Sequence, residues 1–327
     1  MKAITYTEYG SVDVLKLTEV EKPTPGDNDV LIQVHATAAN AGDWHLLHGA
    51  PFIIRLSAGL HKPKYHILGA DVAGRIVAVG RNVTQFQVGD DVFGDLSASG
   101  YGGYAEYVAA PAHAVALKPA AMTFEQAAAV PSAALTALQA LHEAGQIQAG
   151  QKVLVNGASG GVGTFAVQIA KALGANVTAV CSTRNVAMVR ALGADHVIDY
   201  TQEDYTQNGC QYDVILDAAA YRSLAENQRV LAPTGVYVHV GGSADRFLEA
   251  MVIGAWRSRK HGQRFRTFVK QPMPQNLQYV RELLAAGKLA PVIDRHYPLY
   301  EAAEAVRYLE QGHAQGKVII TVVPANN

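Results

Sequence analysis

The sequence predicts an α/β protein, with a β-rich front followed by a doubly wound parallel sheet. Three observations carry that prediction. A glycine-crowded turn, Gly157 to Gly163, joins a short apolar strand to a helix. Strand and helix patterns then alternate from Val153 to Val240. Before Thr123 the chain reads instead as short strands separated by turn residues.

Taken in order, Pro23, Pro25 and Gly26 mark an early loop. Ile32, Val34 and Ala36 alternate with Gln33 and His35, the pattern of a half-buried strand. Ala36 to Gly49 closes that strand and opens a short helical segment, with Asp43 placed to cap it. Ile76, Val77 and Val79 run into Gly80, and Val88 to Val92 form a further turn and strand. Character changes at Thr123, which has capping-box spacing to Gln126 ahead of an alanine-rich helix interrupted by Pro131.

Val153, Leu154 and Val155 suit a strand buried on both faces. Gly157, Gly160, Gly161 and Gly163 then crowd a turn where a backbone must approach something closely. The helix after it carries Phe165, Ile169 and Leu173 and stops at Gly174. Its first turn offers unpaired N–H groups and the positive end of a dipole, which suits a pyrophosphate. A second strand, Val177 to Val180, makes this a dinucleotide site, formed by Gly157, Ala158, Ser159, Gly160, Gly161, Val162 and Gly163. Ala158 stands where the motif has its first glycine, so the tight turn is expected one residue early, at Gly157.

The pattern continues with helix Val186–Leu192, strands His196–Ile198 and Val214–Leu216, a helix near Leu224–Val230, and strand Val236–Val240. Arg257, Arg259, Lys260, Arg264 and Arg266 read as a solvated loop. Helix Asn276–Ala286, a strand after Pro291, helix Glu301–Leu309 and strand Val318–Val323 complete the chain.

A length of 327 residues suits two domains, and 49% hydrophobic content is ample for packed cores. There is no run of 18 apolar residues, and MKAITYTEYGS lacks the apolar core of a signal peptide, so a cytoplasmic location is expected. A net charge of −1 gives no electrostatic reason to seek a nucleic-acid or membrane partner. Two cysteines, Cys181 and Cys210, can build neither a disulfide framework nor a four-cysteine zinc lobe. His45 and His48 have no evident third ligand, so no metal site is expected.

Cofactor choice turns on the end of the second strand, Cys181-Ser182-Thr183-Arg184. The acid that would accept bonds from NAD ribose hydroxyls is missing, while hydroxyls and a guanidinium can hold a 2′-phosphate. NADPH is the expected cofactor, with Cys181, Ser182 and Arg184 at its adenosine end.

The β-rich front, NGASGGVG at Asn156–Gly163 and GKVII at Gly316–Ile320 together resemble the medium-chain dehydrogenase/reductases across essentially the whole chain. AANAGDW at Ala38–Trp44, LGADVAGRIVAVG at Leu68–Gly80, AAAVPSAALTALQAL at Ala127–Leu141 and GKLAPVIDRHYPL at Gly287–Leu299 are similar to the zinc-free quinone oxidoreductase branch. The resemblance implies a GroES-like catalytic domain, 1–123 with 289–327, and a Rossmann domain, 124–288, with the active site in the cleft. It puts Asn40, Thr136 and the backbone of Val240, Gly241 and Gly242 around the nicotinamide, and Tyr200 near the adenosine phosphate. Zinc relatives carry cysteine where this chain has Asn40 and histidine where it has Ala70, and neither replacement can hold zinc.

Without a Lewis acid, simple alcohol oxidation is poorly served, whereas a conjugated acceptor spreads the developing charge itself. A quinone or enone is therefore the expected small-molecule substrate. Asp43, Trp44 and His45 are the candidate catalytic residues, with His45 as proton donor, water as its alternative, and Trp44 as a flat wall. Two other readings stay open: an NADPH-binding sensor with little turnover, and an alcohol or aldehyde oxidoreductase. A homodimer is the expected assembly.

Overall fold

Apolar periodicity and turn residues resolve into elements close to those the pattern predicts. The computed structural model describes residues 1–323, apart from the side chains of residues 244, 255, 256, 259, 260 and 261. In chain order the strands are β1 (Lys2–Thr5), β2 (Lys16–Glu19), β3 (Asp29–Ala39), β4 (Asp71–Val79), β5 (Asp91–Asp95), β6 (Tyr107–Pro111), β7 (Val115–Leu117), β8 (Lys152–Asn156), β9 (Asn176–Cys181), β10 (His196–Asp199), β11 (Tyr212–Asp217), β12 (Leu231–His239), β13 (Arg264–Thr267), β14 (Ile293–Pro298) and β15 (Lys317–Thr321). The helices are α1 (Ala41–His48), α2 (Arg55–Ala58), α3 (Phe124–Ala128), α4 (Pro131–Gln139), α5 (Gly161–Ala172), α6 (Val186–Ala191), α7 (Leu224–Val230), α8 (Ala244–His261), α9 (Pro274–Ala285) and α10 (Ala302–Glu310). Two units result: Met1–Ser132 with Pro272–Ala285 and the chain from Pro291 onward, and Ala133–Gln271 with Ala286–Ala290.

The first unit is the GroES-like one. Its main sheet runs β14-β15-β3-β4-β5-β7, with β6 also paired to β3 and a separate β1–β2 pair. Every pairing is antiparallel except β14 with β15. The alternation read in β3 is real: Val30, Ile32, Val34 and Ala36 are fully buried, whereas Gln33 and His35 are half-buried. Val30, Ile32 and Val34 pack with Val72, Ile76 and Val92 from neighbouring strands and with Leu96 just after β5, each contributing about 1.5–3 kcal/mol by leaving water.

The second unit is a six-stranded parallel sheet in the order β10-β9-β8-β11-β12-β13. Numbered within the unit, that order is 3-2-1-4-5-6, the doubly wound arrangement whose order reverses between β8 and β11. Val153, Leu154 and Val155 are wholly buried, as the unbroken apolar run implied. Among the described residues no helix is long and apolar enough to cross a membrane.

Two local expectations are corrected. The N-cap of α1 is Asn40, and Asp43, one turn in, accepts a hydrogen bond from the Asn40 backbone N–H at 2.8 Å. The basic stretch is no loop, because Arg257 lies in α8 while Arg264 and Arg266 belong to β13 and flank the buried Phe265. Their guanidinium groups donate to Gln146 Oε1 and to the Ala144 carbonyl, both at 2.7 Å. Strand alternation in QRFRT was hidden by its charge.

Candidate active site

In the second unit, β8 ends at Asn156 and the chain turns at Gly157, whose φ of +78° favours glycine. The turn is tied to β9 by the Ala158 N–H, which donates to Val180 O at 3.0 Å. A Cβ on Gly163 would stand 2.0 Å from the Gly157 carbonyl oxygen, so the first turn of α5 packs on the loop only without a side chain. The first backbone bond closing this helix is Thr164 N–H to Gly160 O. The N–H groups of Gly161, Val162 and Gly163 therefore have no partner within the helix and point out with its positive dipole end. Ser159, Gly160 and Val162 are partly open to solvent, so the loop can receive a pyrophosphate.

The carboxyl ends of β8, β11 and β12 meet around one buried carboxylate. Asp217 accepts from Asn156 Nδ2 at 2.7 Å, the Ala219 N–H at 3.3 Å and the Tyr237 hydroxyl at 2.8 Å. Burial pushes its pKa up to about 6, against the lowering effect of those three donors. Val240 and Gly241 donate backbone N–H bonds to Asp217 O, and Gly242, at φ +134°, lies against Ala220. The unit thus brings the glycine turn together with Val240, Gly241 and Gly242. Thr136 is half-buried on α4.

At the end of β9, Ser182 is half-buried and Arg184 exposed, while Cys181 is only 1% exposed. Burial raises the Cys181 thiol to about 11, so this side chain packs and does not reach a ligand. Tyr200 is 59% exposed, and its N–H bonds to Cys181 O at 3.0 Å. Beside them stands an acid that motif reading missed. Asp199 pairs in register with Cys181, accepting from the Thr183 hydroxyl at 2.5 Å and the Thr201 hydroxyl at 2.8 Å. The Thr183 bond foremost holds its pKa below the usual carboxylate value.

Two buried polar atoms here have no protein partner: Asn185 Oδ1, whose Nδ2 bonds Ser182 Oγ at 3.1 Å, and His239 Nδ1, next to Val240. Orphaned polar atoms beside both expected ends of a dinucleotide, and a cradle that a Cβ would fill, fit such a ligand.

In the first unit, three adjacent strands bring Asn40, Asp71 and Lys317 to one end of the sheet, since β15 pairs with β3 and β3 with β4. Lys317 Nζ donates to Asp71 Oδ2 at 2.9 Å and to Asn40 Oδ1 at 2.5 Å. Asn40 Nδ2 donates in turn to Asp71 Oδ2 at 3.0 Å and Ala38 O at 3.1 Å, and Ser132 N–H reaches Asp71 Oδ1 at 2.6 Å. Asp43, wholly buried, accepts from Asn40 N–H, Gly69 N–H and Tyr104 OH. Burial raises its pKa to about 6. With every contact internal, it is a positioning residue for the start of α1. Asp71, Lys317 and Tyr104 also escaped motif reading; for Asp71 and Lys317 the available signal was a charged residue opening a largely apolar strand.

His45, on α1, is half-buried with Nδ1 2.9 Å from the Ala50 carbonyl oxygen, so Nδ1 carries the proton and Nε2 a lone pair. Burial lowers its pKa. The Trp44 ring lies over it at 3.7 Å between centroids. Tyr101, held at φ +66°, and Tyr65 meet edge to face at 5.1 Å.

Residues 26–120 match the alcohol dehydrogenase GroES-like domain model, and 192–320 match a model described as zinc-binding dehydrogenase. Mitochondrial NAD(P)H oxidoreductase RTN4IP1 of Mus musculus is 35% identical, covering 99% of this chain and 89% of its own length. The chain belongs to the medium-chain dehydrogenase/reductase superfamily, in its quinone oxidoreductase-like branch. Another relative in that superfamily, 2-methylene-furan-3-one reductase of Solanum lycopersicum, is also 35% identical, over 99% of this chain and 80% of the relative. Among solved structures, the quinone oxidoreductase from Coxiella burnetii superposes with a TM-score of 0.86 at 33% identity, covering 98% of this chain and 99% of that one. As a superfamily member the chain is an NAD(P)H-dependent oxidoreductase. Despite the zinc in the description of one matching model, no three His, Cys, Asp or Glu side chains among the described residues group to hold a metal ion.

Proposed function

We propose that this protein is an NADPH-dependent, zinc-independent reductase of quinones or enones. The observation that carries this reading is the Lys317 ammonium bonded to both Asp71 and Asn40. It already neutralises the Asp71 carboxylate, and a divalent ion alongside would meet a like charge at contact distance. Reduction must then suit an acceptor that spreads charge over its own conjugated system. Names of relatives in both classes, a quinone oxidoreductase and a furanone reductase, support that choice.

NADPH, when bound, supplies the hydride. The Gly161–Gly163 N–H groups hold the pyrophosphate, and Ser182 and Arg184 hold the 2′-phosphate. The Asp199 carboxylate stays negative while accepting from Thr183 and Thr201, so Arg184 holds the 2′-phosphate against its repulsion. His45, neutral at pH 7 with its one proton turned to Ala50, accepts a hydrogen bond at Nε2 from a water and orients it. The proton that balances the hydride comes from that water, and Trp44 offers a flat wall to an aromatic acceptor.

Steady-state NADPH oxidation with quinones, enones and alkenals, set against NADP⁺ reduction by primary alcohols, tests the reading. Conjugated acceptors should turn over and alcohols should not. Tight NADPH binding without turnover of any acceptor would instead indicate a sensor. His45→Phe should leave the pH profile flat above pH 7 and cost far less than the roughly 10²–10⁴-fold of a lost general acid. A rate in the unaltered protein that falls as pH rises through a value below 6.5, and a profile flattened by His45→Phe, would return the donor role to His45.

A further inference from the structure

We propose that Pro51–Lys64 in the first unit is a docking surface for anionic lipid bilayers. Four large apolar side chains face solvent on it: Phe52 at 63%, Ile53 at 51%, Leu56 at 70% and Leu60 at 48% exposure. Single exposed apolar residues are ordinary, but four within one short segment form a patch. The segment is anchored from its inner side. Arg55 stacks 4.4 Å over the Tyr9 ring and donates to Gly49 O at 3.0 Å, and the Tyr9 hydroxyl donates to Gly59 O. Lys64 N–H bonds Ala58 O at 2.6 Å, and Ala58 and Pro63 are buried. The apolar tips are therefore held outward by fixed contacts.

Charge selects the occupant. From Trp44 to Ala70 the chain contains no Asp or Glu, and exposed Lys62 and Lys64 follow the apolar four. The whole-chain charge of −1, which argued against a membrane partner, averages this local excess away. Apolar side chains that enter the acyl boundary, flanked by lysines at headgroup depth, are the chemistry of an anionic bilayer surface. A second copy related by a two-fold axis would bring the same cations towards each other. The inference is independent of which acceptor is reduced.

Co-sedimentation of the full chain with phosphatidylcholine vesicles, with and without phosphatidylglycerol, tests it. Binding should require phosphatidylglycerol and fall as salt rises. Lys62→Ala and Lys64→Ala should each lower the partition coefficient about fivefold, and Phe52→Glu with Leu56→Glu should abolish binding at an unchanged melting temperature. Should that variant fail to fold, the two lysine variants carry the test alone. Wild-type protein left in the supernatant at low salt, or lysine variants that pellet like wild type, overturns the proposal. A lipid-free dimer dissociated by the Phe52→Glu, Leu56→Glu variant would assign the patch to a second copy and overturn it equally.

Discussion

Lys317 Nζ lies 2.9 Å from Asp71 Oδ2, with the two side chains only 3% and 0% exposed. Removing one partner strands the other charge in a medium that cannot solvate it. Lys317→Met should therefore cost about 3–5 kcal/mol of unfolding free energy. Adding Asp71→Asn should recover much of the loss, since the uncompensated carboxylate goes with it. Denaturant midpoints over the double-mutant cycle measure this, and strict additivity would mean the pair is not coupled.

Gly163→Ala tests the cradle. Its methyl group would meet the Gly157 carbonyl oxygen at 2.0 Å, so either the loop or the first turn of α5 must shift. Overpacking of this kind costs about 1–3 kcal/mol. Because the pyrophosphate is common to both cofactors, NADH and NADPH should weaken equally by fluorescence titration.

Arg184→Ala and Asp199→Asn should move cofactor preference in opposite directions. Loss of a charge-assisted phosphate contact is worth about 1.5–3 kcal/mol, or roughly ten- to a hundredfold in NADPH affinity, with NADH little changed. Asp199→Asn removes the one carboxylate at the end of β10 and should raise the NADPH-to-NADH ratio. Equal losses for both cofactors in Arg184→Ala would show that the phosphate is read elsewhere.

Asp217 predicts an unusual pH dependence. Its folded pKa of about 6 stands above the ordinary 3.8, so the folded state binds this proton more tightly than the unfolded. The stability it contributes is complete below about pH 4 and lost as pH rises to about 6, up to about 3 kcal/mol. In Asp217→Asn the amide oxygen can keep Asn156 and Ala219, and the Tyr237 hydroxyl can rotate to accept from the new NH₂. That variant should be at least as stable as wild type at pH 8 and lose Asp217's share of the slope between pH 4 and 7, leaving the share of Asp43, which is raised likewise to about 6. Thermal melts across that range read it, and an unchanged slope would remove Asp217 as the cause.

Much of the doubly wound unit was legible because its signals are local. A buried strand, a glycine turn and an amphipathic helix follow one another within Val153–Gly174, and each constrains its own backbone. The front unit was legible strand by strand through the alternation in β3, but its closure by β14 and β15 depended on family likeness, since no local pattern says where a strand pairs. Lys317, Asp71 and Asn40 become one site only through the register of three strands. Asp199 was missed for a similar reason, because its place beside Cys181 is a pairing across β9 and β10. Arg264 and Arg266 were misread since their charge outweighed the period-two pattern around Phe265.

The Lys317–Asp71 contact spans 246 residues of chain, which bears on the order in which the protein is made. On the ribosome, the whole parallel sheet emerges before Lys317 does, so it can collapse while β3 still lacks its β15 partner. Until that last strand arrives, Asp71 keeps its water and β3 presents an unsatisfied edge. Closing so distant a contact is slow. Nascent chains stalled before residue 317 should therefore protect the second unit from protease and leave the first one open.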